Sequence, residues 1–353
     1  MNKVVLKNGC FLQEINFCLV PFLGSIVINN NIIEEYYADN DYSDYEIINL
    51  AGRVVTKPFC NFHEHIYSKL AKGFNINSPM DSFEKILADY WWKEDLCLTE
   101  ESIYYSSLLT GIDALKNGVG YIFDHHSSPN FIKGSLKIIA ESLNSLNISN
   151  ILSYEITDRN GQIKTQDAIV ENFDFLSNSY PLSKGMIGLH ASFTVSDNTL
   201  KNIADLNNQL NAGIHLHICE GEEDRLLSIS KYKKTPLDRF LYYNLLNTKS
   251  ILAHGVKLNF EELSELSRLS IPLAINVDSN LNNSVGFHNY HSILNNNILL
   301  GTDGMHSNIL KSIKNTFLIA RLSGLSFEKA FCFIKGIYKT GQLFLKEYFN
   351  STS

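Results

Sequence analysis

His63-Glu64-His65 sets two imidazoles two residues apart. On an extended segment such residues point to the same face, so both rings could reach one divalent ion. Three further segments end in groups of the same kind: His215-Leu216-His217-Ile218-Cys219-Glu220, Leu252-Ala253-His254-Gly255 and Leu300-Gly301-Thr302-Asp303-Gly304. Imidazole nitrogen and carboxylate oxygen are the ordinary ligands of zinc and iron. A satisfied core histidine or a loop aspartate would explain any one of these segments, but that explanation must then hold separately at each. His215 and His217 share a face, so spacing alone leaves either as the ligand.

The elements that must position these groups are legible in outline. Short apolar, β-branched runs recur at 54–65, 121–126, 151–158, 186–193, 214–220, 251–254, 273–280 and 298–303, each ending in polar residues. Between them, 101–116, 135–146, 200–210, 236–244 and 260–269 carry helical spacing, as does 326–349 near the end. Apolar strands alternating with helices predict a parallel sheet covered on both faces, and eight such units close a (β/α)8 TIM-type barrel. Barrel active sites lie at the C-terminal ends of the strands, which is where the histidines and Asp303 fall. Residues 1–52 read differently, as short strands separated by Asn and Gly turns, and predict a small β appendage ahead of a barrel spanning 53–353.

Composition removes several alternatives. Thirty basic residues against 37 acidic give a net charge of −7, the opposite of what a nucleic-acid polymer demands. No apolar run reaches bilayer length, and Lys7 and Asn8 interrupt the start before a signal-like segment forms. Six cysteines are scattered without a CxxC pair, as expected for a reduced, cytoplasmic compartment.

Other residues of chemical character surround this set. His190 and Glu155 end candidate strands and are candidates for substrate contact. His125 and His126 are adjacent and point to opposite faces, so at most one faces the site; His125 is counted with the substrate contacts. Asp158-Arg159 reads as a loop ion pair or a substrate clamp, Trp91-Trp92 as a lid, a dimer contact or a buried aromatic pair, and His288, His291 and His306 as solvated loop histidines or pocket lining.

Several motifs together carry a resemblance: Lys7-Asn8-Gly9, Phe123-Asp124-His125-His126, Tyr154-Glu155-Ile156-Thr157-Asp158-Arg159, Gly188-Leu189-His190-Ala191-Ser192-Phe193, Asp278 to Gly286 and Gly301-Thr302-Asp303-Gly304-Met305. Over most of its length the chain resembles the amidohydrolase superfamily, in its deaminase and chlorohydrolase branch, most closely the SsnA type of aminohydrolase. The resemblance implies that His63, His65, His217 and Asp303 hold one divalent metal ion, zinc or iron. Its His-x-x-Glu pattern selects His217, paired with Glu220. The fourth strand ends in His190 rather than in the lysine of two-metal relatives, which favours a single ion. With such an ion activating water, Asp303 could take the water proton, Glu220 could protonate a ring nitrogen or leaving group, and His254 could stabilise the attacking oxygen. The expected reaction is hydrolysis of a carbon–nitrogen bond other than a peptide bond, with deamination of a purine- or pyrimidine-like heterocycle as the leading case.

Halide removal or opening of a cyclic amide would use the same residues. A barrel that has lost its chemistry and serves as a binding or assembly subunit is the competing reading of another class. Two departures from the family stand out: Lys57-Pro58-Phe59-Cys60-Asn61-Phe62-His63 has proline where glycine is usual, and no β-rich segment follows 326–349 to complete the small sandwich. Unpaired edges of an incomplete sandwich would favour a homodimer.

Overall fold

The computed structural model describes residues 3–30, 32–36 and 45–349, in two compact units. In the first, β1 (Lys3–Ile15) and β2 (Cys18–Asn29) form an antiparallel hairpin whose two-residue turn, Asn16 and Phe17, has φ of 51° and 61°. That left-handed pair is the geometry that matches strand twist in tight hairpins. β3 (Ile32–Tyr36) pairs with β2, while β4 (Glu46–Asn49) and β5 (Val54–Val55) lie parallel to β1. Its small core is Val5 and Val27 with Tyr45 packed on them. Because Val54 and Val55 pair with Cys10 and Phe11, this unit runs to Pro58, beyond the expected boundary at 52. Met1, Asn2, Asn31 and residues 37–44 of the expected appendage lie outside the described residues, as do 350–353 at the other end.

The second unit, Phe59–Tyr348, is the barrel. Its parallel strands run in sequence order around the sheet: β6 (Phe59–Glu64), β7 (Val119–His126), β8 (Ser149–Ile156) with its extension β9 (Ser183–Gly185), β10 (Ile187–Leu189), β11 (Ile214–Ile218), β12 (Ile251–His254), β13 (Leu273–Ile275) and β14 (Ile298–Leu300). Closure comes just past β14, where the Thr302 and Asp303 amides donate to the His63 carbonyl at 3.0 and 2.9 Å and Glu64 bridges Asp303 in parallel. Gly301 permits this approach, since a Cβ there would lie 2.3 Å from Asn276 Oδ1 and 2.7 Å from His63 Cβ. The Asn61 side chain reinforces the seam, donating to Thr302 Oγ1 at 2.6 Å and accepting from the Thr302 amide at 3.1 Å.

The eight expected strand positions are all occupied, but several are shorter than the apolar runs suggested. Residues 277–282 form a helix, not the end of a strand, and 192–194 form a 3₁₀ turn. The helices at Glu100–Lys116, Ser135–Ser145, Asp197–Asn207, Pro236–Tyr242, Phe260–Arg268 and Phe327–Leu345 stand near their expected places. Among the described residues, three long helices were not anticipated, Gln162–Ser177, Glu222–Tyr232 and Ile309–Leu322, nor were the short ones at Val277–Asn282 and Tyr290–Ile293. Residues 83–97 add a short helical segment containing a π-helical turn at Leu87–Trp91. Aliphatic residues from strands and helices fill the space between the two layers. Among the described residues, no helix is long and apolar enough to cross a membrane.

Candidate metal and substrate site

Strand alternation sorts the ligand candidates. His63 and His65 project toward the barrel axis while Glu64, between them, faces away and is tied to Asn61 Nδ2 at 2.7 Å and Ser307 Oγ at 2.6 Å. On β11 both His215 and His217 point inward, at different depths. His217 Nε2 lies 3.1 Å from His65 Nε2. Asp303 Oδ1 lies 3.1 Å from His65 Nε2 and 3.5 Å from His63 Nε2. His215, one level deeper and fully buried, instead touches the back of His63, with Nε2 2.8 Å from His63 Nδ1.

The donor set fits a metal ion on its own chemistry. His65 Nδ1 lies 2.6 Å from the His125 carbonyl and His217 Nδ1 2.9 Å from the His190 carbonyl. A carbonyl can only accept, so both Nδ1 atoms carry a proton, and in the neutral ring each Nε2 is a lone pair; against burial, the Asp303 carboxylate raises His65 to about 9, so this group of atoms attracts a positive charge, proton or metal. Two lone pairs facing each other at 3.1 Å repel unless a positive charge lies between them. Tetrahedral ligands about 2.05 Å from zinc are spaced by roughly 3.3 Å, close to the 3.1, 3.1 and 3.5 Å separations here. The buried His63 Nε2 has no hydrogen-bond partner either. Charge agrees: against burial, the surrounding imidazoles of His63, His65 and His254 hold Asp303 well below the usual carboxylate range.

Beside this cluster stand the proton-handling groups. Glu220 Oε2 is 3.4 Å from His254 Nε2, and Oε1 accepts from Asn283 Nδ2 at 3.3 Å. Burial, aided by the Asp303 charge, pushes the Glu220 carboxyl up to about 7. His254 Nδ1 hydrogen-bonds Asn280 Oδ1 at 2.9 Å, leaving Nε2 turned to Glu220 and, at 3.9 Å, to Asp303 Oδ2. Ser279 donates to that same Asp303 oxygen. Ser279, Asn280 and Asn283 carried no assigned role in the sequence, although the Asp278-to-Gly286 motif that contains them was visible. They reach the site because 277–282 is helical.

A cavity of about 290 Å³ opens over these groups, lined by His65, His217, Glu220, His254 and Asp303 on its floor. Phe83, Leu87, Trp91, Trp92, Phe193 and Leu227 supply apolar lining. Its polar wall is Asp95, Glu155, Arg159 and His190. Arg159 Nη2 donates to Glu155 Oε1 at 2.5 Å, approaches Asp95 Oδ2 at 3.8 Å, and its guanidinium lies 4.5 Å from the centre of the Trp92 ring. Arg159 Nη1, Asp95 Oδ1 and Trp92 Nε1 are buried with no partner, which leaves hydrogen-bonding capacity for a bound molecule. Burial raises the Glu155 carboxyl to about 7 and the Asp95 carboxyl to about 6, in each case against the Arg159 charge.

Several expectations change. His125 does not line the cavity; its Nε2 donates to the Leu189 and His215 carbonyls at 3.1 and 3.2 Å. Asp158 and Arg159 are not partners: Asp158 accepts from the Ser196 amide and Thr199 Oγ1 at the start of the 197–207 helix, while Arg159 turns into the cavity. His288 is buried, with Nε2 2.8 Å from the His254 carbonyl, and His306 is half-buried against Asp278; His291 is exposed. Trp91 and Trp92 both line the cavity rather than forming a closed core pair.

Comparison with known proteins gives the family and the fold. A match to the Amidohydrolase family spans residues 55–348. A 5'-deoxyadenosine deaminase of Methanobrevibacter smithii is 26% identical over 336 residues, covering 92% of this chain and 74% of that protein. Two solved structures share the fold. A zinc-bound adenosine deaminase from Xanthomonas campestris superimposes with a TM-score of 0.78 at 16% identity, covering 96% of this chain and 80% of that one. A guanine deaminase from C. acetobutylicum with bound guanine gives 0.80 at 18%, covering 98% and 87%.

Proposed function

Because this chain belongs to the amidohydrolase family, and is thus a hydrolase acting at carbon–nitrogen bonds, we propose that it deaminates an amino-substituted nitrogen heterocycle of the purine type. The observation that carries the reading is the meeting of the His63, His65 and His217 Nε2 atoms with Asp303 Oδ1, beside a Glu220 carboxyl poised near neutrality. The 5'-deoxyadenosine deaminase relative, and the adenosine and guanine deaminases that share the fold, support the substrate class.

In this reading His63, His65, His217 and Asp303 hold one divalent ion, zinc by preference. The ion, when bound, supplies a water acidified to a pKa of about 7. Asp303, oriented by the Ser279 hydroxyl, takes a proton at its carboxylate. Glu220, carrying a proton at neutral pH, hands it to a ring nitrogen of the substrate and so makes the adjacent carbon more electrophilic. His254, fixed by Asn280, accepts a hydrogen bond from the attacking oxygen at Nε2. Trp92 and Phe193 offer faces for the ring, and His190, Glu155, Asp95 and Arg159 offer donors and acceptors to the rest of the substrate.

The test is ammonia release from a panel of adenosine-type nucleosides and free purines and pyrimidines, using zinc-loaded protein. Turnover of at least one purine derivative, abolished in Asp303→Ala, is expected. Zinc-loaded protein that releases no ammonia from any of them, or an Asp303→Ala variant at the wild-type rate, overturns the proposal.

A further inference from the structure

His65 and His217 have their Nδ1 protons fixed by backbone carbonyls, which cannot donate. His63 differs. The partner of its Nδ1 is another imidazole, His215 Nε2 at 2.8 Å, and an imidazole nitrogen can donate or accept. Both rings are fully buried, so no solvent stands in for a missing partner. The direction of that bond decides the state of His63 Nε2. If His63 Nδ1 donates, Nε2 presents a lone pair to the ion; if His215 donates, His63 Nε2 carries the proton and points it at Asp303, where it cannot ligate.

The direction is set further along the chain of contacts. With His215 Nε2 accepting, His215 Nδ1 must carry its proton, and Ser153 Oγ is there at 3.4 Å. The Ser153 hydroxyl lies closer, at 3.0 Å, to the Asp124 carbonyl, which can only accept. A hydroxyl has one proton, and the shorter contact to an obligate acceptor takes it. Ser153 Oγ is then free to accept from His215, and each proton along the chain points away from the ion site.

We infer that His215 is a positioning residue for the ion: through Ser153 and the Asp124 carbonyl it keeps the His63 proton on Nδ1 and the Nε2 lone pair turned to the ion. The inference rests on the single-ion reading above. Outer partners of this kind change metal affinity by roughly 10–100-fold.

The experiment measures zinc affinity by competition with a chromophoric chelator in wild type, His215→Leu and His215→Gln, with the visible spectrum of the cobalt-substituted proteins alongside. Glutamine can present Oε1 near the place of His215 Nε2 as an acceptor; leucine cannot. His215→Leu should bind zinc about 10–100-fold more weakly and shift the cobalt spectrum, and His215→Gln should recover most of the affinity. A role in packing alone would lower the melting temperature of both variants without separating their zinc affinities. A folded His215→Leu protein with wild-type affinity, or a glutamine variant no better than leucine, overturns the inference. Should the leucine variant fail to fold, Ser153→Ala decides: a few-fold loss of affinity supports the chain of contacts and none refutes it. Wild-type protein that binds no zinc refutes the ion reading itself, a different outcome.

Discussion

Replacing Glu220 by glutamine removes one proton from the site and little else. Glutamine keeps the volume and an Oε1 that can accept from Asn283 Nδ2, now 3.3 Å away. Burial first, then the Asp303 charge, raises the Glu220 carboxyl from 4.5 to about 7, so near pH 7 about half the molecules carry the proton that a ring nitrogen needs. General acid catalysis of this kind contributes about 10²–10⁴ in rate, so kcat of Glu220→Gln should fall by that factor. Zinc content should stay unchanged. Wild-type kcat should decline as pH rises through about 7, and the residual activity of the variant should lack that bend. Stability supplies a second arm. The unfolded chain loses this proton near pH 4.5 while the folded chain keeps it to about 7, so wild-type stability falls across that window, by at most about 3 kcal/mol. Glutamine does not titrate, so the variant should match wild type at pH 4.5 and gain on it up to pH 7, as thermal melting reads. A variant with a full complement of ion and more than a tenth of wild-type kcat refutes the role.

Arg239 is fully buried, donates to the Ser192 and Val195 carbonyls and to Asp197 Oδ1, and lies over the Tyr232 ring; Arg239→Met strands those acceptors and should cost about 3–5 kcal/mol in urea denaturation, whereas a loss below about 1 kcal/mol would mean that water replaces the guanidinium. Glu94 is buried with both carboxylate oxygens unpartnered, and burial raises it to about 8. Glu94→Gln should therefore leave stability unchanged at pH 4.5 and raise it progressively toward pH 8, with a pH-independent difference in melting temperature as the contrary result.

Much of the barrel was legible because two periodicities are strong. Apolar runs separated by 3.6-period segments located each barrel strand, and the two-residue alternation put His63 and His65 on one face with Glu64 on the other. What escaped has a physical pattern. The helices at 162–177 and 222–232 carry a weak apolar face under charged residues, Gln162 to Asp167 and Glu222 to Arg225, so their spacing is faint. Residues 273–280 look like one strand, yet the sheet takes only Leu273–Ile275 before a helix begins at Val277 and carries Ser279, Asn280 and Asn283 to the site. Arg159 pairs with Glu155, four residues back at the end of β8, while its neighbour Asp158 is taken by the distant Ser196 amide and Thr199 hydroxyl, an outcome that adjacency misrepresents.

The choice between His215 and His217 shows where the limit lies. Alternation fixes which way a side chain points but not how deep it sits, and depth is a property of the closed barrel. At the deeper level a histidine meets the back of another ligand; one pair of residues further along it meets the opening. Backbone twist then re-aims the groups at the rim. Cys219, His254 and Asp303 have φ of 47°, 71° and 54°, a left-handed conformation that costs a non-glycine residue about 1–3 kcal/mol. Glycine could relieve that strain at each position, but at two of them it would delete a reacting group, His254 or Asp303. At Cys219 the left-handed residue immediately precedes Glu220 and turns the chain after β11 into the cavity floor. These three left-handed residues thus sit at or next to the groups assigned to the chemistry, and the bends they make bring Glu220, His254 and Asp303 within reach of one another.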